Sequence, residues 1–228
     1  VSGERPAAVG SAGAWIDTHC HTKYSYDNWL EPLDLLRRAR AIGLAGVVVT
    51  EHHSYEASAP VERLGREEGV LVLRGVEIAT DQGHLLAYGV GDDGWNVWGR
   101  DTYLPLQAVI ERICDLGGIC VPAHPYRRIG VASLLDGVLQ LQNIAAVEAP
   151  NGGNEKDDND LAQRAADYRR LPTLGGSDCH RVEHVGRCAT EFSTPVADLT
   201  DFIAAVRAGA CRGAYYGAAQ SQATRSCA

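Results

Sequence analysis

Ala14-Trp15-Ile16-Asp17-Thr18-His19-Cys20-His21-Thr22-Lys23-Tyr24-Ser25-Tyr26-Asp27 is the stretch around which the chain is organised. It begins as a short apolar run with the pattern of a strand and closes on His-x-His, whose alternation projects two imidazoles to one face just where the strand stops. Two ligand-type side chains on one face are half of a metal site. Asp17, two residues earlier, and Asp27, in the polar segment beyond, add carboxylates that could ligate a metal or orient the imidazoles. A single His-x-His also occurs on ordinary surface strands, so its weight depends on whether the rest of the chain repeats the pattern.

The pattern repeats. Residues 31–42 read as a helix, with Pro32 in the first turn and Gly43 as a stop. Gly46-Val47-Val48-Val49-Thr50 reads as a buried strand that runs directly into Glu51-His52-His53. After a short helix over residues 60–68, residues 70–78 form a third strand carrying Gly75-Val76-Glu77, and a turn at Asp81-Gln82-Gly83 leads to a strand opening on His84. Residues 105–116 read as a helix, 119–125 as a strand ending in Ala123-His124-Pro125, and 144–149 as a strand. A helix over 157–170 precedes a short strand, 172–176, that ends in Ser177-Asp178-Cys179-His180. Strands over 188–192 and 211–216 flank a helix over 196–208. Residues 91–103, with Trp95 and Trp98 among glycines and aspartates, read as a rim loop and a candidate lid.

Alternating strands and helices argue for an α/β domain with a largely parallel sheet. Ligand-type residues fall past the end of nearly every strand, and a closed barrel brings all strand ends to one centre, so the expected fold is a distorted barrel of about seven strands. Residues 14–217 are expected to form one domain, with residues 1–13 a disordered leader and 218–228 a frayed tail.

The composition narrows the function. At 228 residues and 45% hydrophobic content the chain can bury one sizeable core. A net charge of -8 offers no basic surface, so neither nucleic acid nor an anionic membrane is expected as partner. No stretch is long and apolar enough to span a bilayer. Seven cysteines without CxxC or framework spacing read as reduced thiols of a cytoplasmic protein. The composition leaves the oligomeric state open.

The candidate ligands are His19, His21, Asp27, His52, Glu77, His84, His124, Asp178 and His180, which include six of the eight histidines. His53 reads as a neighbour of the site or a surface residue, and His184 as surface. So many N and O donors exceed one tetrahedral ion, and a multinuclear centre is the economical arrangement. Imidazole mixed with carboxylate suits Zn, Mn or Fe without choosing among them.

Asp17-Thr18-His19-Cys20-His21, Ser25-Tyr26-Asp27, Thr50-Glu51-His52, Gly75-Val76-Glu77, His84, Ala123-His124-Pro125 and Ser177-Asp178-Cys179-His180 together resemble the successive motifs of the PHP (polymerase and histidinol phosphatase) family. The resemblance runs in order over most of the chain. It implies a distorted (β/α)7 barrel that holds two or three divalent ions and hydrolyses a phosphoester with a metal-activated water. By position in the motifs, it implies one ion on His19, His21, Glu77 and Asp178. Glu77 would bridge to a second ion on His84 and His124, and a third ion would sit on Asp27, His52 and His180. Glu51, where the family more often has Asp, and the segment over residues 92–103 depart from the pattern.

On this reading the substrate is a small phosphorylated molecule. Asp178 and His180, with Glu77, are the catalytic candidates, the first two to orient the water or protonate the leaving oxygen. Arg127, Arg128, Arg187 and Lys23 are the cations available for the remaining phosphate oxygens. Three other classes compete. An amidohydrolase-like hydrolase or deaminase also opens with His-x-His, but Glu77 occupies the slot where it wants a lysine. A proofreading nuclease is opposed by the acidic charge and the length, and a non-catalytic metal-binding module by the completeness of the ligand set.

Overall fold

Valine-rich β2 (Gly46–Val49) is buried along its whole length, and the sheet is built outward from it and from β1 (Ala14–Cys20). A strand covered on both faces reads as a continuous apolar run, which is why Val47-Val48-Val49 lacks polar alternation. Around these lie β3 (Leu71–Ala79), β4 (His84–Tyr88), β5 (Ile119–Pro122), β8 (Cys188–Phe192) and β9 (Cys211–Tyr215) in the order β5-β4-β3-β2-β1-β8-β9. A second, two-stranded sheet pairs β6 (Val147–Asn151) with β7 (Thr173–Gly176). The computed structural model describes residues 13–217, so the expected tail and all but the last residue of the expected leader lie outside the described residues. No helix among the described residues is long and apolar enough to cross a membrane.

The expected closed, largely parallel barrel is corrected to a curled mixed sheet with a parallel pair beside it. Pairs β1-β2, β2-β3 and β6-β7 are parallel, whereas β3-β4, β4-β5, β1-β8 and β8-β9 are antiparallel. The β3-β4 link over residues 80–83 is a tight turn closed by the Thr80 N–H on the Gly83 carbonyl. A parallel return needs a crossover of roughly a dozen residues, so this link can only make a hairpin.

Glycine lets the two sheets touch. A Cβ at Gly213 would lie 2.2 Å from the Ala149 carbonyl oxygen, and one at Gly176 would lie 2.3 Å from the His19 Cβ. Both positions require a bare backbone. The second contact seats the end of β7 against the histidine end of β1, where Cys20 and Cys179 form an isolated parallel bridge.

Helices cover the outside. α1 (Pro32–Ala41) starts on Pro32 and turns Leu35, Leu36 and Ala39 inward, and α2 (Ala59–Glu68) ends on Gly69 at φ 69°. α3 (Leu106–Asp115) buries Leu106, Val109, Ile110 and Ile113, each stabilising by up to about 1.5–3 kcal/mol relative to exposure. α4 (Lys156–Arg169) packs on β6 through Ala162, Ala165 and Ala166. α5 (Leu199–Arg207) is capped by the Asp198 carboxylate on the Asp201 N–H and buries Phe202 against Tyr88 and Phe192. Trp95, fully buried, packs in the same core cluster as α3.

Candidate metal centre

Strand direction explains how distant residues meet. His19 is the last residue but one of β1 with His21 just beyond the strand, His52 follows β2, Glu77 is near the end of β3, His124 follows β5, and Asp178 and His180 follow β7. His84 opens β4 instead of ending it, yet antiparallel pairing of His84 with Ala79 returns it to the same edge.

All nine candidate ligands are brought together there, in three sets within which one donor atom per residue lies inside 4.8 Å of the others. In the first, His19 Nε2 and His21 Nε2 are 3.0 Å apart, Glu77 Oε2 is 3.3 and 3.0 Å from them, and Asp178 Oδ1 is 3.7 and 3.5 Å away. In the second, Glu77 Oε1 lies 3.0 Å from His84 Nδ1 and 3.1 Å from His124 Nε2. The third is more open: Asp27 Oδ2 is 3.2 Å from His52 Nε2 and 3.5 Å from His180 Nε2. Glu77 belongs to the first two sets and is 1% exposed.

The donor chemistry fits divalent cations. Ser25 Oγ donates to Glu51 Oε2 at 2.5 Å, so it accepts from His21 Nδ1–H at 3.1 Å and leaves the His21 Nε2 lone pair facing the first set. Opposite it stand His19 Nε2 and two carboxylate oxygens. Lone pairs this close, without protons between them, need a shared positive charge. The buried Nδ1 atoms of His52 and His124 also have no hydrogen-bond partner among the described residues.

Electrostatics without a metal follow the same geometry. Burial opposes the charge on Glu77, but His19, His84 and His124 hold its pKa well below the usual carboxylate range. Burial likewise opposes ionisation of Asp178, which His19 and Arg127 keep charged. His19 moves the other way: Glu148, Glu77 and Asp178 outweigh burial and hold its pKa well above that of a free imidazole. Burial lowers His21 and, with Arg127, His124. The Asp27 carboxylate lifts half-buried His180 to about 9.

Of the four cations expected at phosphate, one lies in the cleft. Arg127 lines it, with Nε donating to Asn154 Oδ1 at 2.7 Å and the Nη2 group donating to Asn151 Oδ1 at 2.7 Å and Asp178 Oδ2 at 2.6 Å. The other three do not line it. Arg128 pairs with Asp158 of α4, Lys23 pairs with Glu31 at the surface, and Arg187 lines a separate hollow beside Arg38 and Tyr215. His53 stays outside all three sets. The rim segment is less lid-like than expected: Trp95 is buried, and the Asp93 carboxylate accepts from Ser54 Oγ and the Tyr55 N–H, leaving Thr102 and Tyr103 to line the cleft.

Several site residues went unnoticed in the sequence or carry another role. Asp17 holds backbone: its oxygens accept from the N–H groups of Ser177 at 2.8 Å and Gly186 at 3.0 Å. Glu51 accepts from Thr22 Oγ1 and Ser25 Oγ and so steadies the His21 ring through Ser25. Glu148, fully buried in β6 and 2.8 Å from His19 Nδ1, was missed, although a carboxylate inside the apolar run Ala145-Ala146-Val147-Glu148-Ala149 was a visible signal.

Histidines and carboxylates gathered on one edge of a curled mixed sheet define an α/β protein with three side-chain sets that could each hold a metal ion. The PHP-associated family profile matches residues 156–211. Protein MJ1587 of Methanocaldococcus jannaschii is 30% identical over 123 residues, which are 50% of this chain and 68% of that protein. The chain belongs to the PHP family.

Solved structures share the fold. PsfC from Pseudomonas syringae superposes with a TM-score of 0.69 at 17% identity, over 90% of this chain and 92% of its own. A protein assigned as a metal-dependent phosphoesterase from Bifidobacterium adolescentis gives 0.56 at 20% identity, over 75% and 89%. Endonuclease Q, in complex with a 27-mer duplex carrying an abasic lesion at the active site, gives 0.67 at 16% identity, over 87% of this chain and 58% of that one. This last likeness overturns the expectation that nucleic acid is excluded, because a protein of this fold carries DNA at its active site.

Proposed function

We propose that the chain is a metal-dependent phosphoesterase in which water attacks phosphorus at a centre of two or three divalent ions. The observation that carries this reading is the meeting of three ligand sets around one edge of the sheet, with the Arg127 guanidinium lining the same cleft. His19, His21, Glu77 and Asp178 would hold a first ion. His84 and His124 would hold a second, and Glu77, whose two oxygens face different histidines, would serve both. Zn, Mn and Fe all suit such a donor set. When bound, the ions supply Lewis-acid activation of water near neutral pH and neutralise charge on the phosphoryl oxygens.

The chain's own groups do the rest. Arg127 spends its Nε and Nη2 protons on Asn154, Asn151 and Asp178, which fixes the guanidinium plane. Its Nη1 group, with two N–H donors and no partner among the described residues, takes the phosphoryl oxygens. Asp178, kept ionised by Arg127 and His19, is too weak a base to strip water outright and instead orients it. His180 stands at the open side of the cleft beside Asp27. As an imidazolium it protonates the leaving oxygen. A third ion on Asp27, His52 and His180 would take the place of that proton, so the two roles of His180 alternate.

The cleft of ≈ 410 Å³ falls in the size range of small-molecule sites, which favours a small phosphoester. The test is hydrolysis by metal-reconstituted protein of a panel of phosphomonoesters, phosphodiesters and oligonucleotides. Turnover of a small ester is the expected result. Preferential cleavage of an oligonucleotide would replace the substrate class, and metal-loaded protein inert towards the whole panel would refute the reading.

A further inference from the structure

Glu148 binds no candidate ion, yet it sits where two ligand sets meet. Its side chain is fully buried, and its one ion-pair partner among the described residues is His19. Oε1 lies 2.8 Å from His19 Nδ1, while Oε2 accepts the His124 backbone N–H at 2.6 Å and Asn151 Nδ2–H at 3.0 Å. Three donors thus converge on two oxygens. Only a carboxylate accepts all three, because an amide would turn its own NH2 group against one of them.

Each contact has a consequence. Accepting from Nδ1–H fixes the His19 tautomer whose Nε2 lone pair faces His21, Glu77 and Asp178. The second oxygen pins the backbone of His124, which adopts the left-handed φ of 29°, a conformation that a non-glycine residue keeps only when its surroundings hold it. The Asn151 contact extends the network to Arg127, since Asn151 Oδ1 accepts from the Arg127 Nη2 group.

We propose that Glu148 is a positioning residue that sets His19 and His124 together, so that the ion positions on both sides of Glu77 depend on one carboxylate in β6. The inference rests on the metal-centre reading above, and its test reads metal binding, not hydrolysis. Metal-free parent and Glu148→Gln proteins are titrated with Zn²⁺ alone against a competing chelator. The variant is expected to bind the first two equivalents on the order of 10–100-fold more weakly. In the zinc-loaded parent, ¹⁵N spectra of the labelled histidines should find the His19 proton on Nδ1, a signature that a merely space-filling role for Glu148 would not produce. Affinity within twofold of the parent, or a His19 proton on Nε2, would overturn the assignment. If the variant does not fold, the spectrum of the parent decides alone. A parent that takes up no zinc overturns the metal-centre reading as well, whereas normal uptake by both proteins overturns only the role of Glu148.

Discussion

Glu77→Gln is the sharpest perturbation of the centre, because it keeps the shape of a side chain that is 1% exposed and removes only its charge and one acceptor. Glu77 Oε2 lies within 3.3 Å of nitrogens of His19, His21 and His52, and Oε1 within 3.1 Å of His84 and His124. Removing one partner from a buried charge pair costs about 3–5 kcal/mol, or roughly two to four orders of magnitude in ion affinity. Both bridged positions should therefore empty during desalting, and phosphoester hydrolysis should fall to background. Elemental analysis and chelator competition read the first, initial rates the second. In the metal-free protein the effect has a pH window. The depressed pKa of Glu77 gives stability that is present above its unfolded value of 4.5 and is lost as pH falls through the folded value. The raised pKa of His19 gives stability that is complete below 6.5 and is lost as pH rises through its folded value. Parent and variant should thus differ most in thermal unfolding between those two limits. A variant that holds two ions and hydrolyses at the parental rate would refute the bridge, and loss of a single equivalent would make Glu77 a terminal ligand.

Arg127→Ala should lower kcat/KM by about 10–100-fold, the cost of a charge-assisted hydrogen bond, with metal content intact; Arg128→Ala, whose partner is Asp158, should leave kinetics unchanged, and equal effects would remove Arg127 from the site. In the metal-free protein His180 should titrate near 9, and Asp27→Asn should return it towards 6.5; the stability from this pair is complete below 6.5 and is lost as pH rises through about 9, so an NMR midpoint near 6.5 in the parent would contradict the pairing. Trp95→Ala should cost about 3–5 kcal/mol and lower the Tm by roughly 6–20 °C while sparing metal uptake, and a shift of a degree or two would mean that the rim segment is not packed into the core.

The clustering of the nine ligand-type residues was legible because such residues interrupt apolar runs where strands end, as in Val49-Thr50-Glu51-His52 and Val121-Pro122-Ala123-His124. Strand direction was partly legible. The turn at Asp81-Gln82-Gly83 marks a link too short for a parallel crossover, so the hairpin of β3 and β4 could have been read from its length alone. The seating of β7 on β1 could not, because Gly176 and Gly213 act through backbone contacts to residues far away in sequence. Glu148 lay in plain view but inside a strand, where a search confined to strand ends does not look.

Cations were the least legible part, and the reason is geometric as well as electrostatic. Arg127 and Arg128 are adjacent in sequence, yet the irregular backbone after His124 sends one to Asp178 and the other to Asp158 on α4. Adjacency to a ligand therefore locates a loop, not a guanidinium. Net charge fails for a related reason. The sum of -8 counts carboxylates over the whole surface, but charges farther apart than about 8–10 Å are largely screened at physiological salt. On the proposed reading, what an approaching phosphate would meet is local: the Arg127 guanidinium, an imidazolium at His180, and any ions the carboxylates hold. Metal loading turns the acidic residues of the cleft from repulsive groups into the means of holding positive charge. An acidic sequence is thus compatible with a phosphodiester strand at this edge of the sheet, as the DNA-bound endonuclease of the same fold illustrates.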